Sequence, residues 1–305
     1  MGDFKNVPPV RACIIFNPAA KGQKAERFRQ GLDAMARHCE LKHTAAAGDA
    51  RRLAAAAILE GHDTLIAAGG DGTLNEVLNG MGDVPDGFAR ARLGVLPLGT
   101  INVFAREIGL PTNPAAAWPI LQRGQERRID LPRIETGDVG NPSRTYFAQL
   151  AGAGLDARAI QLVNWPLKKM IGPLAYVVAG LKAMNEPQTR LTVADGTRTA
   201  TGQLVLVGNG RRYGGAFQIF PDAEVADGWL HICVFPEVNW ATLTRCGLTL
   251  LSTRKLPDDR VVRWRAKSFT LIGPAVKRFE VDGELGGPLP ARFTLQPAGL
   301  RILVP

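Results

Sequence analysis

The apolar positions of the chain change their rhythm partway along it. In the first third, three short apolar runs, Val10 to Phe16, Thr64 to Ala68 and Leu93 to Leu96, each stop at small and polar residues: NPAAKG, GGDGT and PLGT. Each of these stretches is followed by apolar residues at helical spacing. Phe28, Leu32 and Met35 share a face after the first, Leu74, Val77, Leu78 and Met81 after the second, and Ile101, Phe104, Ala105 and Ile108 after the third. An alanine-rich helix, Asp49 to Leu59, is expected between the first two runs. Strand, bare loop, helix, repeated, predicts a parallel sheet with covering helices.

After Ile129-Asp130-Leu131 the runs become short: Tyr146 to Leu150, Leu191 to Val193, Leu204 to Val207, Leu230 to Phe235, Val261 to Trp264 and Phe269 to Ile272. Asp-Gly pairs at 195–196, 227–228 and 282–283 read as hairpin turns. One helix is expected around Leu174 to Met184. The second half is therefore read as mostly antiparallel β, a sandwich or distorted barrel. The fold class is α/β, a parallel-sheet domain followed by a mostly antiparallel β-sandwich or barrel domain, the boundary falling near Asp130.

Composition narrows the partners. The 305 residues, 46% of them apolar, suit two domains of ordinary size with substantial cores. The formal net charge of +9 favours anionic partners such as phosphorylated metabolites or an anionic membrane surface. The positive residues are dispersed in short groups, which argues against nucleic acid. The four cysteines, Cys13, Cys39, Cys233 and Cys246, are far apart and read as free, buried thiols of a cytoplasmic protein. The opening MGDFKNVPPV has no signal-peptide character, and no apolar stretch is long enough to span a bilayer, so any membrane contact is expected to be peripheral. The four histidines are scattered, which disfavours a histidine metal site or triad. GAGLDA, Gly152 to Ala157, fits a relaxed dinucleotide pattern but lacks the following acidic residue and βαβ unit, and is read as a turn.

The loops carry the candidate chemistry. In an open parallel sheet, ligands bind beyond the carboxyl ends of the strands, where NPAAKG, GGDGT and PLGT would converge. Glycines let phosphate oxygens approach the backbone, and the following helices offer free N–H groups and a positive dipole end. Thr73 and Thr100 are expected to cap those helices or to donate to phosphate. Asp71 would be repelled by phosphates unless a cation intervened, so it is a candidate Mg²⁺ contact, direct or through water. The alternative is that Asp71 caps its own helix.

These residues resemble a known family. GGDGTLNEV, PLGTINVFAREIGLP, GNGRRYGGAFQIFPDAEVADGWL and VDGE, in this order and spanning about Asn17 to Glu284, look like the bacterial diacylglycerol kinase-like lipid kinases, relatives of the sphingosine kinases and, more distantly, of the NAD kinases. The resemblance implies a nucleotide-binding α/β domain over residues 1–131, to which a final segment, residues 293–305, returns, a β-sandwich domain over residues 132–292, and an active site in the cleft between them. Carried over by motif, Thr44, Gly69, Gly70, Asp71, Gly72, Thr73, Leu74, Asn75, Gly99, Thr100 and Asn102 would contact ATP. Asp282 and Glu284 correspond to the family's general-base element, with either acid open as the base. PDAEVADGWL matches a structural Mg²⁺ loop in which Asp227 supplies a carboxylate and Glu224 and Trp229 backbone carbonyls. Two departures are the missing Ser before Gly22, and Ile101 and Val103 in the third loop.

The implied activity is Mg²⁺-dependent transfer of the ATP γ-phosphate to the hydroxyl of a diacylglycerol-like lipid at the membrane surface. The rivals are an NAD kinase-like enzyme with a soluble acceptor and a non-catalytic nucleotide- or lipid-binding protein. The stretch NWPLKKMIGPLAYVVAGLKAM, Asn164 to Met184, mixes Trp165, Leu167, Met170, Ile171 and Leu174 with Lys168 and Lys169, a composition suited to an anionic interface or to a core helix with a basic loop.

Overall fold

The computed structural model describes residues 11–19, 39–137, 140, 142–162, 182–215, 217–253, 256–257 and 259–305. The expected helix through Phe28, Leu32 and Met35, the loop residues Lys21 and Gly22, and the stretch from Asn164 lie outside them, apart from a helical turn at 182–184. The chain forms two compact units, Met1–Arg128 with Gly299–Pro305, and Ile129–Ala298.

The first unit begins with β1 (Ala12–Phe16) and β2 (Glu40–His43), then α1 (Asp49–Leu59), β3 (Thr64–Gly69), α2 (Asp71–Gly82), the short α3 (Gly87–Arg90), β4 (Arg92–Pro97), α4 (Val103–Glu107) and α5 (Pro114–Arg123). Its strands lie parallel in the order β2-β1-β3-β4. All six residues of β3 are buried, as expected for a central parallel strand covered on both faces. Ile14, Phe16, Ile66, Ala68, Leu96 and Leu121 share one core on one of those faces.

Two features of GGDGTLNEVLNG belong to this packing. The Glu76 carboxylate of α2 accepts the N–H of Gly48 at 2.9 Å and of Ala50 at 3.0 Å, and so caps α1 from a neighbouring helix. A side chain at Gly80 would collide with the Arg51 carbonyl oxygen, so glycine there sets how closely α1 and α2 approach. The sequence reading omitted β2, a polar and partly exposed edge strand, and α5. Its signals were present: Asn113 accepts from the Ala115 N–H at 3.0 Å, proline follows it, and Gly124 ends the helix in the left-handed region.

The second unit contains β5 (Glu126–Thr136), which enters it from the first, β6 (Ser143–Tyr146), β7 (Leu150–Gly154), α6 (Leu155–Leu162), β8 (Leu191–Ala194), β9 (Thr199–Gly202), β10 (Leu204–Gly208), β11 (Arg212–Tyr213), β12 (Phe217–Gln218), β13 (Leu230–Phe235), α7 (Trp240–Thr253), β14 (Val262–Ala266), β15 (Ser268–Ile272), β16 (Arg278–Val281), β17 (Glu284–Pro288) and β18 (Ala291–Leu303). An antiparallel sheet of order β14-β13-β10-β7-β16-β17 faces the antiparallel set β18-β15-β8-β9, with β5 beside β18. Phe147, Val205, Val207, Ile232, Phe279 and Phe293 fill the space between them, with Phe269 stacked on Phe293 at 4.7 Å between ring centroids. The last residues of β18 belong to the first unit, where Ile302 pairs parallel to Leu93 of β4.

The second unit departs from the sequence reading in four places. The stretch Tyr146 to Leu150 is not one strand: pairing stops at Tyr146 and resumes at Leu150. GAGLDA is not a turn but the end of β7 running into α6, with Gly154 at φ 83°. Because β7 is paired antiparallel on both sides, it opens no parallel βαβ unit. Helix α7 was not expected. The Asp-Gly pairs at 195–196 and 282–283 do join paired strands, β8 to β9 and β16 to β17, but the pair at 227–228 precedes β13 in an irregular loop. The cysteines are free as read, with Cys13, Cys233 and Cys246 buried and Cys39 half-buried.

Candidate functional site

In the first unit the sheet brings the expected loops together at the carboxyl ends of its strands. The Asn17 N–H donates to the Ala68 carbonyl at 3.0 Å, and the Asn17 side chain donates to Thr73 Oγ1 at 3.1 Å. The first loop is thereby tied to the second. Thr44, just past β2, donates its N–H to the Phe16 carbonyl at 3.0 Å and is buried. The second and third loops meet backbone to backbone: Leu98 and Gly99 both donate to the Gly69 carbonyl, at 2.8 and 3.2 Å, and a side-chain carbon at Gly99 would sit 2.6 Å from the Gly70 α-carbon. A side chain at Gly69 would collide with Thr73 Oγ1. The bareness of GGDGT and PLGT is thus a packing requirement as well as an open surface.

Asp71 stands at the first position of α2, and Gly70 is the N-cap. Its carboxylate lies against its own backbone N–H, the first of α2, but its bonds to other residues run to a different helix. It accepts the N–H of Val103 at 3.1 Å and of Phe104 at 3.3 Å, the first two residues of α4. A carboxylate at a helix N-terminus is favoured by the dipole and the orphan amides there, so Asp71 caps the next helix along and binds the second loop to the third. Burial pushes its carboxyl above the ordinary range, opposed by those amides. The caps expected at Thr73 and Thr100 are therefore not formed: α2 has no side-chain cap, Thr73 accepts from Asn17, and the N-cap of α4 is Asn102. Asn102 is buried in the left-handed region at φ 52°, which Asn tolerates, and its amide donates to the Gly99 carbonyl at 2.7 Å. The departure at Val103 leaves the Asp71 contact intact, since Val103 takes part through its N–H. Leu74 points into the core, and Asn75 is buried beside Asn79. Of the GGDGT segment, Gly70, Asp71 and Gly72 are half-buried, while Gly69 and Thr73 are buried.

In the second unit Asp282 lies in the β16–β17 turn at φ 49°, followed by Gly283 at φ 89°, the conformation of a two-residue hairpin turn. Its carboxylate reaches the break between β6 and β7: Oδ2 accepts from Ala148 at 2.8 Å, and Oδ1 from Gln149 at 2.9 Å and Leu150 at 3.1 Å. Three amides that a continuous strand would have spent on pairing converge on one carboxylate. Glu284 opens β17 and is exposed.

Asp227 is held in its own loop. Oδ1 accepts the Trp229 N–H at 2.9 Å, while Oδ2 accepts the Glu224 N–H at 3.1 Å and lies 2.8 Å from His231 Nε2. Trp229 lies under two cations, Arg265 at 5.5 Å and Lys267 at 5.2 Å from its ring centroid. The Glu224 side chain pairs with Arg211.

Sequence reasoning missed three partners. Asn17 was seen only as part of a loop. His231 was set aside among scattered histidines, although it stands four residues from Asp227. Asp130 was read as a boundary marker, yet it is buried, accepting from Gly228 at 2.7 Å and Ala298 at 2.9 Å. Its signal was a lone charge inside an apolar triplet.

Residues 11–134 match the diacylglycerol kinase catalytic domain, and residues 149–304 match the YegS C-terminal NAD kinase beta sandwich-like domain. A diacylglycerol kinase of Staphylococcus saprophyticus is 32% identical over 291 residues, 93% of this chain and 92% of that one. A crystal structure of a diacylglycerol kinase from Bacillus anthracis superposes with a TM-score of 0.70 at 21% identity, covering 98% of both chains. Yeast NADH kinase superposes with a TM-score of 0.54 at 11% identity, covering 97% of this chain and 84% of that one.

Proposed function

This chain belongs to the diacylglycerol kinase family of lipid kinases, and from that premise we propose that it transfers the γ-phosphate of ATP to the hydroxyl of a diacylglycerol-like lipid at an anionic membrane surface, with Mg²⁺. The observation that carries this reading is the start of α2. It has no side-chain cap at Gly70, it is flanked by glycines 69, 70, 72 and 99, and its loop is braced by Asp71, so the N–H groups of its first turn are the proposed donors to phosphate oxygens. Thr44, Gly69 to Asn75, Gly99, Thr100 and Asn102 form the proposed ATP contacts.

Mg²⁺ accompanying ATP supplies charge neutralisation of the phosphates. Asp71 is the carboxylate proposed to face it, directly or through water. A structural Mg²⁺ suits the loop of Asp227: a carboxylate with the carbonyls of Glu224 and Trp229 is an all-oxygen donor set, and Oδ1 of Asp227 accepts one N–H, leaving it a second lone-pair direction. Asp227→Ala is expected to lower the melting temperature, removing the acceptor of two amides and of His231, and to abolish the stabilisation that added Mg²⁺ gives the wild type. Equal Mg²⁺ shifts in both proteins would reduce this loop to its own hydrogen bonds.

The acceptor hydroxyl must lose a proton as the phosphoryl group arrives. Asp282 spends both oxygens on the amides of Ala148, Gln149 and Leu150. We therefore assign proton removal to the exposed Glu284, and to Asp282 the task of holding the turn that presents it. Among the described residues no helix is long and apolar enough to cross a membrane. Peripheral contact is supported by the net charge of +9 and by Trp240 and Leu248, exposed on α7 at 55% and 64%.

The test is a kinase assay of the full chain with ATP and Mg²⁺ on anionic vesicles containing diacylglycerol, with NAD as a parallel acceptor. Phosphatidate formation is expected. Preferred phosphorylation of NAD would instead establish the soluble-acceptor reading, and binding of ATP without turnover on either acceptor the non-catalytic one.

A further inference from the structure

Behind the Asp282-Gly283-Glu284 turn lies a group of acids to which the proposed reaction gives no task. Glu280, on β16, is 2% exposed. It meets Asp156, the second residue of α6 and the acid of GAGLDA. One oxygen of each is satisfied: Asp156 Oδ1 accepts the Tyr213 hydroxyl at 2.6 Å, and Glu280 Oε2 accepts the Gly283 N–H at 2.9 Å. The other two, Asp156 Oδ2 and Glu280 Oε1, are buried, and no N–H or O–H donor of the described residues reaches them. Both lie over the α-carbon of Gly152, where a side-chain carbon would collide with Asp156 Oδ2 and stand 3.0 Å from Glu280 Oε1.

No described cation is turned to the pair. Arg158 of α6 is engaged with Glu186 at 2.6 Å, Arg278 of β16 donates to the Gly286 carbonyl at 2.7 Å, and Arg212 of β11 donates to the Gly215 carbonyl at 3.3 Å. The packed strands β7 and β10 carry no titratable group, and the turn and β17 add only Asp282 and Glu284. Two bare carboxylate oxygens brought together away from water, among further acids, require a proton between them.

We propose that Asp156 and Glu280 share one proton, and that this couple, braced by Tyr213, is the positioning element that holds the Asp282-Gly283-Glu284 turn for phosphoryl transfer, the second half resting on the function proposed above. The proton resides on Glu280 Oε1 and is donated to Asp156 Oδ2, leaving Asp156 a carboxylate with two donors, Tyr213 and Glu280. The direction of each equilibrium agrees. Burial first, then the neighbouring Asp156, pushes Glu280 well above the carboxylate range, while burial raises Asp156 against the hydrogen bonds from Glu280 and Tyr213. Glu280 in turn holds the Gly283 N–H, one residue from each acid of the turn. These are positioning residues; none touches substrate.

The experiment compares Glu280→Gln and Glu280→Leu with the wild type in the full chain. Glutamine supplies permanently what the proton supplies: Nε2 donates to Asp156, and Oε1 accepts from Gly283. A group whose folded pKa is raised gives stability that is complete below its unfolded pKa and is lost as pH rises through the folded one. The wild type is therefore expected to lose melting temperature relative to Glu280→Gln as pH rises above the ordinary carboxylate range. At neutral pH Glu280→Gln is expected to keep near wild-type kcat and KM on diacylglycerol, and to lack the alkaline fall in kcat of the wild type. Glu280→Leu is expected to lower kcat by about a hundredfold with KM little changed, as a small displacement of a reacting group does.

A melting-temperature gap that stays flat with pH overturns the shared proton. A Gln variant as inactive as the Leu variant overturns the proposal too, since the carboxylate itself would then be required. Unchanged kcat in a folded Leu variant overturns the positioning role. Should the wild type phosphorylate no lipid, the kinase reading fails, while the pH dependence of the gap still decides the couple.

Discussion

Asp71→Asn is expected to lower turnover on diacylglycerol by at least about a hundredfold, the scale at which misplacement of a reacting group is felt. Two effects add. Asparagine removes the charge proposed to face the phosphate-bound cation. It also breaks the brace between loops: Asp71 accepts from Val103 with one oxygen and from Phe104 with the other, whereas asparagine would point an NH₂ group at one of those amides. Leaving a buried amide unpaired costs about 1–3 kcal/mol, so a modest fall in melting temperature should accompany the loss. Steady-state kinetics beside a thermal melt check both. A folded variant with near-normal turnover would leave Asp71 as no more than the cap of α4.

Glu284→Gln is expected to lower kcat by about 10²- to 10⁴-fold, the range over which a positioned general base contributes, with the melting temperature little changed, since interactions of an exposed carboxylate are worth about 0–1 kcal/mol. Asp282→Asn should behave differently. Oδ1 accepts two amides of the β6–β7 break and Oδ2 the third, so an amide side chain leaves at least one unpaired, and stability should fall by about 1–3 kcal/mol together with activity. The pair of variants separates chemistry from architecture. An active Glu284→Gln protein beside an inactive Asp282→Asn protein of unchanged melting temperature would move the base to Asp282.

What the sequence made legible was local. The helix Asp49–Leu59 and the strand Leu230–Phe235 stand at the ends read from the sequence, because the helix buries one apolar face, the strand is buried on both faces between two cores, and their neighbours are turn formers. The three bare loops were legible for the same reason. Where the reading failed, the deciding partner was distant in the chain. Tyr146 to Leu150 has the composition of a strand, but Asp282, more than 130 residues on, draws three of its amides out of pairing. The task of Asp71 depends on amides 32 and 33 residues later. Helix α7 was missed through composition: WATLTRCGLTLLST carries four threonines and a glycine, poor helix formers whose disadvantage is overridden by packing of Cys246 and Leu243 against the core. Its start was signalled by Asn239, which accepts the Thr242 N–H at 2.8 Å.

The return of β18 to β4 has a consequence for how the protein is made. Residues 299–305 complete the first unit, yet they follow the whole of the second in the chain. On the ribosome, the strand that carries PLGT must wait, with its edge unpaired, while residues 129–298 are synthesised. An unpaired parallel edge is a template for association with other chains. The first unit is therefore not a fragment that can be cut at residue 128 and expected to stay monodisperse: a circular permutant that joins residues 299–305 to it directly should remain soluble where the simple truncation aggregates.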